Sequence, residues 1–556
     1  MFAKTAKFAV VALLLVFFAL FLFLPVFTVV EQGCRLSLFR EVFRNALYVQ
    51  GLFNSLCIAV VTTTLVLLIS LPLALFYDRY DFPGKGLCGI SVMLPMILPP
   101  FVGALGFQQI LGHYGILNTL LVRLGASRID FLAGDNVFWA VCAIEALHLY
   151  PIMYLNLVTS LGNIDPALTE AAKNLGAGKG TILRKIILPL LKPGLLAGGS
   201  LVLIWSFTEL GTPLMFGLTR TTAVQVFNGI NEIGTNPLPY TLVVVMLISS
   251  LLLYVLSRFF LRTNGNASSV KGSAGTSAVK AKGLAAVAAP GAFLIVTLLA
   301  VSPHIALLLT AFSRSWYRTL LPKHFTFMHF ENALSHKIVI PSIINSLKYS
   351  SLAMVFALIV GTLIAVIVVR WKFRGSSILD LLAMTPLAVP GIVVAFGFLG
   401  MSVKYVWANQ LFNPVDNPLL LLAAAYAVRR LPYVVRSVSS GLEQTPEELE
   451  NAARNLGSGP FRAFTKVTLP LITANLLVGA LFAFSFSMLE VSDSLILAQK
   501  AEFYPITKAL LELALILGSG PVTACAFGVW TMAFMSAALG AGAILLGKRI
   551  GSIFRL

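Results

Sequence analysis

The sequence predicts an all-α polytopic membrane protein of about 12 transmembrane helices, arranged as two parallel six-helix repeats. Composition gives the first reason: 11% of the 556 residues are charged and 58% are apolar, against about 25% charged in an average soluble domain. The apolar residues also fall in continuous blocks of about 20, the length a helix needs to cross a hydrocarbon core of about 30 Å. No water is present in such a core, so each segment must pair its own backbone polar groups. Unbroken apolar runs therefore imply helices and not the alternating strands of a barrel. Finally, the chain repeats itself. Asn54-Ser55-Leu56 returns as Asn345-Ser346-Leu347 (345 − 54 = 291), and Arg79, Pro95, Pro99 and Gly106-Phe107 return in step as Arg370, Pro386, Pro390 and Gly397-Phe398. Farther on, Asn174-Leu175-Gly176 returns as Asn455-Leu456-Gly457 and Leu188-Pro189 as Leu469-Pro470, now at 281 (470 − 189). The first copy thus carries about ten extra residues, placed in the polar stretch 112–136, where a loop tolerates insertion.

In chain order, the first repeat (1–262) offers apolar segments at 8–30, 52–77, 88–111, 137–160, 193–216 and 240–262. Lys4 and Lys7 precede the first of these. Its apolar run from Phe8 to Val30 exceeds the roughly 7–15 residues of a signal-peptide core and is expected to remain as a membrane helix. Residues 263–283, rich in Gly, Ser, Ala and Lys, cannot build a core and are expected to form a flexible cytoplasmic linker. The second repeat (284–556) offers segments at 286–312, 344–369, 377–402, 418–440, 471–492 and 522–547. Pro95, Pro99, Pro100, Pro386 and Pro390 interrupt the third segment of each repeat, where a missing N–H frees a carbonyl and favours a kink. Six is even, so both repeats enter from the same side, related by an axis along the membrane normal. With the N-terminus inside, 26 of the 40 Lys and Arg fall on inner segments, as the positive-inside rule requires, and both termini are expected in the cytoplasm. The formal charge of +18 is then topological, and no basic, aromatic-interleaved soluble module is present to bind nucleic acid. Five cysteines, odd in number and widely spaced, suit packing better than a disulfide framework or a zinc site.

The inner loops after the fourth segment of each repeat, 161–192 and 441–471, carry the most information. In the first, Asp165 suits an N-cap and Pro166 the first turn; Leu168, Ala171, Ala172 and Leu175 follow at helical spacing, and Gly176 stops the helix. In the second, Thr445-Pro446-Glu447-Glu448 reads as a capping box, with Leu449, Ala452, Ala453 and Leu456 on one face and Gly457 as the stop. Each helix is too short to span a bilayer and too apolar on one face to sit in water, so it is expected to dock on a partner. An ordinary amphipathic inner loop is the alternative.

The run Glu170-Ala171-Ala172, three residues, Gly176, nine residues, Ile186, one residue, Leu188-Pro189 resembles the cytoplasmic EAA loop of permease subunits of binding-protein-dependent ABC importers. The second loop resembles it less fully: Asn451-Ala452-Ala453, Gly457, Val467 and Leu469-Pro470, with Asn451 in place of Glu and Glu450 one residue earlier. The resemblance covers essentially the whole chain and implies the type I importer permease fold. Fused, single-chain permeases of this kind are most similar to the iron(III) importers, with thiamine and aminoethylphosphonate importers as neighbours. It further implies that Glu170, Ala171, Ala172, Gly176, Pro189, Glu450, Asn451, Ala452, Ala453, Gly457 and Pro470 form the ATPase-coupling elements. The implied partners are two ATP-binding cassette ATPase subunits, an extracytoplasmic solute-binding protein and the lipid bilayer, in a bacterial or archaeal inner (plasma) membrane. Such a permease is no enzyme and holds no cofactor, since ATP and Mg belong to the ATPase. Gly542 to Lys548 imitates a phosphate-binding GxxxxGK loop, but Arg549 replaces Ser or Thr and no strand precedes it.

Ionisable groups inside a membrane are costly and mark candidate functional sites, here Glu145, Glu209, Glu490, Asp493, Arg429 and Arg430. Glu209 and Glu490 occupy equivalent positions (490 − 209 = 281) in Phe207-Thr208-Glu209-Leu210-Gly211-Thr212-Pro213 and Met488-Leu489-Glu490-Val491-Ser492-Asp493. They either line a central path and give a cation weak, transient contacts, or pair with Arg429, Arg430 or backbone to hold helices together. Arg429 and Arg436 share a helix face and are expected to snorkel to the inner surface. His324, His329 and His336 lack metal-ligand spacing and are expected in a solvated outer loop. An ion-gradient-driven secondary transporter is the alternative of another class, but it leaves the EAA-like loops unexplained. A membrane enzyme is disfavoured, because no helix presents paired His and carboxylates at metal-ligand or acid–base spacing.

Overall fold

Where an apolar run is uninterrupted it forms one long helix; Pro72, Pro151, Pro290, Pro303 and Pro386 lie inside unbroken helices, whereas the chain breaks at Pro390. The computed structural model describes residues 2–97, 100–260, 279–373 and 375–546. The first repeat comprises α1 (Phe8–Gly33), α2 (Ala46–Arg79), α3 (Pro100–Leu111), α4 (Asn136–Gly162), α5 (Pro166–Asn174), α6 (Lys192–Phe207) and α7 (Leu238–Phe260). The second comprises α8 (Leu284–Phe312), α9 (Val339–Trp371), α10 (Ser376–Ala388), α11 (Gly391–Lys404), α12 (Leu419–Gln444), α13 (Glu447–Asn455), α14 (Thr473–Met488) and α15 (Gly520–Leu546). Exposed side chains such as Leu13, Phe27, Leu68 and Leu298 form the lipid-facing surface.

Among the described residues, eight helices are long and apolar enough to cross a membrane, and two bent pairs bring the number to ten. Eight of the twelve expected segments are thus single apolar helices, and the other four differ from that form. The third segment of the first repeat is divided into Lys85–Ser91, Leu94–Ile97 and α3, with Pro99 outside the described residues. Its counterpart splits into α10 and α11, which meet at 99° around Pro390, a residue with no N–H to continue the ladder. A 74° bend separates Pro460–Leu471 from α14. Finally, α12 is one continuous helix but carries Arg429, Arg430 and Arg436, too polar for an apolar crossing. Residues 263–278 of the expected linker and the Gly547-Lys548-Arg549 run also lie outside the described residues.

Side-chain contacts fix the helix directions. Ser70 donates to the Tyr150 carbonyl (2.9 Å) and Thr62 to that of Cys142 (3.5 Å), so α2 and α4 run parallel. Val434 packs on Gly361 and Arg370 donates to the Thr445 carbonyl (2.7 Å), so α9 and α12 do too. Pro25 packs on Gly397 and Glu31 pairs with Lys404, which makes α1 and α11 parallel. The links from α1 to α2 and from α11 to α12 hold only the short helices Leu36–Arg44 and Val406–Leu411, neither able to recross a bilayer. Consequently α2, α4 and α12 all begin at one end of the molecule and finish at the other, and α5 and α13 emerge from the same end. There the strand Tyr80–Asp81 (β1) pairs in parallel with Val279–Lys280 (β2), so the last part of the expected flexible linker is instead held against the first repeat by backbone pairing.

The first helix of each repeat packs on the other repeat. Gly397 of α11 lies under the Pro25 carbonyl of α1, and Gly106 of α3 lies under the Pro303 carbonyl of α8. A Cβ at Gly106 would overlap that oxygen, and one at Gly397 would sit 2.5 Å from its own. Gly106→Ala and Gly397→Ala are each expected to destabilise by about 1–3 kcal/mol through overpacking against rigid backbone. Thermal melting in detergent checks this against Gly291→Ala, which meets nothing within 4 Å; equal melting of all three would contradict the close fit.

Candidate functional site

Two kinds of region gather the residues singled out by sequence: the exposed helices α5 and α13, and a cluster of ionisable groups inside each repeat. Asp165 caps α5 by accepting from the Ala167 N–H (2.9 Å), with Pro166 in the first turn. Both helices end at a left-handed glycine, Gly176 (φ +81°) and Gly457 (φ +91°), and the next residue closes the turn: Ala177 donates to Ala172 and Ser458 to Ala453. The capping box expected at Thr445 is absent. The Thr445 hydroxyl instead donates to the Gly441 carbonyl (2.9 Å), finishing α12, and Pro446 occupies the N-cap of α13 without a side-chain bond. Beyond each glycine the chain passes through a π-turn, Leu183–Ile187 or Phe464–Thr468, immediately before Leu188-Pro189 or Leu469-Pro470. Pro189 and Pro470 lack the N–H of a regular turn, and the ladder widens so that Leu188 bonds Leu183 and Leu469 bonds Phe464.

Neither α5 nor α13 has a buried residue, and Leu175 and Leu456 are 88% and 89% exposed. Glu170 and Ala171 face solvent, as do Asn451 and Ala452, while Ala172 and Ala453 are half-buried. Glu450 turns back to accept from the Thr468 hydroxyl (3.2 Å), so Asn451, not Glu450, stands at the exposed position of Glu170. The two helices are also tied down differently. Glu447 at the start of α13 pairs with Lys372 (3.1 Å) and Arg370 (3.5 Å) at the end of α9. The first repeat has Pro166 at the position of Glu447 and Asp81 at that of Lys372, and Arg79 lies over the Tyr80 ring.

The hydrogen bond and charge of Lys372, with Arg370 behind it, hold the Glu447 carboxyl below the usual carboxylate range. A carboxyl lowered by folding contributes stability above its unfolded pKa and loses it as pH falls through the folded value. Hydrogen exchange of residues 446–456, corrected for intrinsic rates, is therefore expected to rise as the solution is acidified below the ordinary glutamate range. Glu447→Gln is expected to show that faster exchange already at neutral pH, and a variant as protected as the wild type would remove the tether.

Inside the membrane the equivalent carboxylates Glu209 and Glu490 have different partners. Glu209 accepts from the backbone N–H groups of Gly211 (3.1 Å) and Thr212 (3.3 Å), capping the short helix Gly211–Met215. Glu490 is clamped by Arg429 and Arg430, and Arg429 also reaches Asp493 (3.5 Å). The snorkelling expected of Arg429 is thus corrected, because two buried carboxylates hold it inside. Arg436 stays exposed and pairs with Asp380 (3.6 Å). Glu145 accepts from Ser206 and, at 3.5 Å, from Thr62 through Oε2, while its buried Oε1 has no hydrogen-bond partner among the described residues. His329 is buried rather than solvated, its Nε2 2.9 Å from the Ser313 carbonyl, whereas His324 and His336 lie near the surface. Cys142 and Cys525 are buried as packing residues should be, but Cys34 is exposed.

Sequence reasoning missed His148 and His304. With Gly103, Phe107, Glu145 and Glu209 they line a cavity of about 30 Å³ between α3, α4 and α8, room for a single water. The signal was present, for His148 is the repeat counterpart of Arg429 (429 − 281 = 148). Among the described residues no three His, Cys, Asp or Glu side chains are placed to hold a metal ion.

The profile of the family "binding-protein-dependent transport system inner membrane component" matches this chain twice, over residues 70–264 and 354–543. The ferric transport system permease protein FbpB of Actinobacillus pleuropneumoniae is 28% identical over 81% of this chain and 64% of its own length. A Haemophilus influenzae protein named for ferric transport, FbpB 1, is 28% identical over 81% of this chain and 69% of its own length. The molybdenum transport system permease ModB of Escherichia coli is 36% identical, over 27% of this chain and 67% of its own. A solved bacterial ABC transporter involved in import of the acidic polysaccharide alginate overlays 47% of this chain and 95% of its matched chain at 15% identity and a TM-score of 0.38, too partial an overlap to argue from. Two copies of the module, together covering more than half of the sequence, make this protein a member of the inner-membrane component family of binding-protein-dependent transport systems.

Proposed function

We propose that this chain is the membrane permease of an ATP-driven importer, moving a small solute handed over by an extracytoplasmic binding protein and powered by a separate ATPase. The observation that carries the reading is the pair α5 and α13: two helices at one end of the molecule, one per repeat, with no buried residue and an unpartnered leucine at each tip. A helix so placed gains stability only against another surface. Closure of an ATPase pair would press α5 and α13 together and transmit that motion through α4 and α12 to the bundle, giving alternating access. Glu170, Ala171, Ala172 and Gly176 in α5, and Asn451, Ala452, Ala453 and Gly457 in α13, would form the contact. Pro189, Glu450 and Pro470 would shape the segments behind it.

The favoured cargo is iron(III). Two observations support a cation: the FbpB relatives match over most of the chain, and the interior sets four carboxyl groups, Glu145, Glu209, Glu490 and Asp493, against two guanidiniums, Arg429 and Arg430. Reconstitution tests both parts. Uptake of ferric ion from its binding protein into proteoliposomes is expected to require ATP and the ATPase, and gradient-driven uptake by this chain alone would establish a secondary transporter instead.

A further inference from the structure

We infer that Arg429 is an internal counter-cation: its guanidinium fills the carboxylate pocket of Glu490 and Asp493 that a cargo cation uses in transit, and it swings out for that cation to pass. The inference rests on the cation-importer reading above.

Arg429 stands where two broken segments of the second repeat meet. On one side is Gly391, the first residue of α11 after the 99° bend; on the other are Glu490 and Asp493, at the break between α14 and the short helix Ser492–Leu497. A side chain at Gly391 would overlap the guanidinium, so the glycine keeps that space for Arg429. Broken helices within a membrane are tolerated where they are buried in protein or line a cavity, and transporters place their binding sites at such breaks.

The pairing is uneven in a way that leaves Arg429 replaceable. Arg430 separately holds Oε2 of Glu490, so Glu490 keeps a partner when Arg429 leaves. Asp493 meets Arg429 at 3.5 Å through Oδ2, and its fully buried Oδ1 has no hydrogen-bond partner among the described residues. Of the two arginines, Arg429 is the more accessible, its side chain 22% exposed against 10% for Arg430.

In the first repeat the corresponding place holds only a cavity the size of one water. His148 takes the position of Arg429, and the cavity shared with Glu145 and Glu209 lies beside it. A multivalent metal ion binds hard carboxylate oxygens more strongly than a delocalised guanidinium of single charge, and exchanging one cation for another never leaves the carboxylates bare. Arg429 then suits the role of a resting plug.

The test uses the purified full chain, with gallium(III) citrate as a redox-inert probe, and ferric uptake by the complete importer. Arg429→Met is expected to bind gallium about tenfold more tightly than the wild type. Adding Asp493→Asn is expected to remove that gain, and Arg429→Lys, shorter in reach, to show a smaller one. If Arg429→Met does not fold, as judged by melting and elution, Arg429→Lys carries the test. Unchanged gallium binding in a folded variant, or a gain that survives Asp493→Asn, overturns the inference. Wild-type importer that moves no ferric ion with ATP would instead overturn the cargo assignment.

Discussion

Glu490→Ala is expected to destabilise the protein by about 3–5 kcal/mol, because it strips two buried guanidiniums of their common partner. Arg430 loses its one carboxylate, and Arg429 keeps only Asp493 at 3.5 Å. The equivalent change in the first repeat, Glu209→Ala, removes a carboxylate that caps two backbone N–H groups, a loss of about 1 kcal/mol. The contrast between repeats is therefore the sharper prediction. Unfolding of the two variants in mixed micelles, followed by tryptophan fluorescence, measures it. Similar losses at both positions would mean that Arg429 and Arg430 find other partners and that the clamp contributes little.

Gly176→Pro and Gly457→Pro are each expected to reduce stimulation of the ATPase about tenfold or more while leaving membrane insertion intact. Both glycines hold a left-handed φ, +81° and +91°, whereas proline is fixed near −65°. The turn that sets the angle between α5 or α13 and the following segment would reopen, carrying Leu175 or Leu456 away from its docking position. Displacing a central apolar anchor of an interface costs about 2 kcal/mol or more, enough for such a loss. Gly178→Ala and Gly459→Ala are the controls, since their φ of −69° and −65° suits any residue and nothing lies within 4 Å. Normal stimulation in both proline variants would detach these helices from the ATPase.

Features written in local chemistry were legible from sequence. Apolar run length gave the helices, proline the break at Pro390, and glycine the ends of α5 and α13, because each acts through the backbone of its own neighbourhood. The repeat itself was legible for the same reason, since matched punctuation survives where side chains have changed. What depends on packing was not. Nothing near Glu209 or Glu490 distinguishes a backbone-capped carboxylate from an arginine-clamped one; the difference lies in position 148 or 429 of another helix, where one repeat has His and the other Arg. Arg429 and Arg436 share a helix face, yet one is held by buried acids and the other reaches the surface. The Thr445 capping box failed because α12 claimed that hydroxyl first, a competition between two helices that a short pattern does not record.

The reciprocal seating of Pro25 on Gly397 and of Pro303 on Gly106 has a consequence for biogenesis. During synthesis α3 reaches the bilayer long before α8 leaves the ribosome, so the groove at Gly106 must wait, filled by lipid or an insertase, for a cover encoded some two hundred residues later. Neither half is a finished folding unit by itself. A chain truncated after the linker is expected to be a substrate for membrane quality-control proteases, whereas the two halves made as separate polypeptides in one cell can still complete each other.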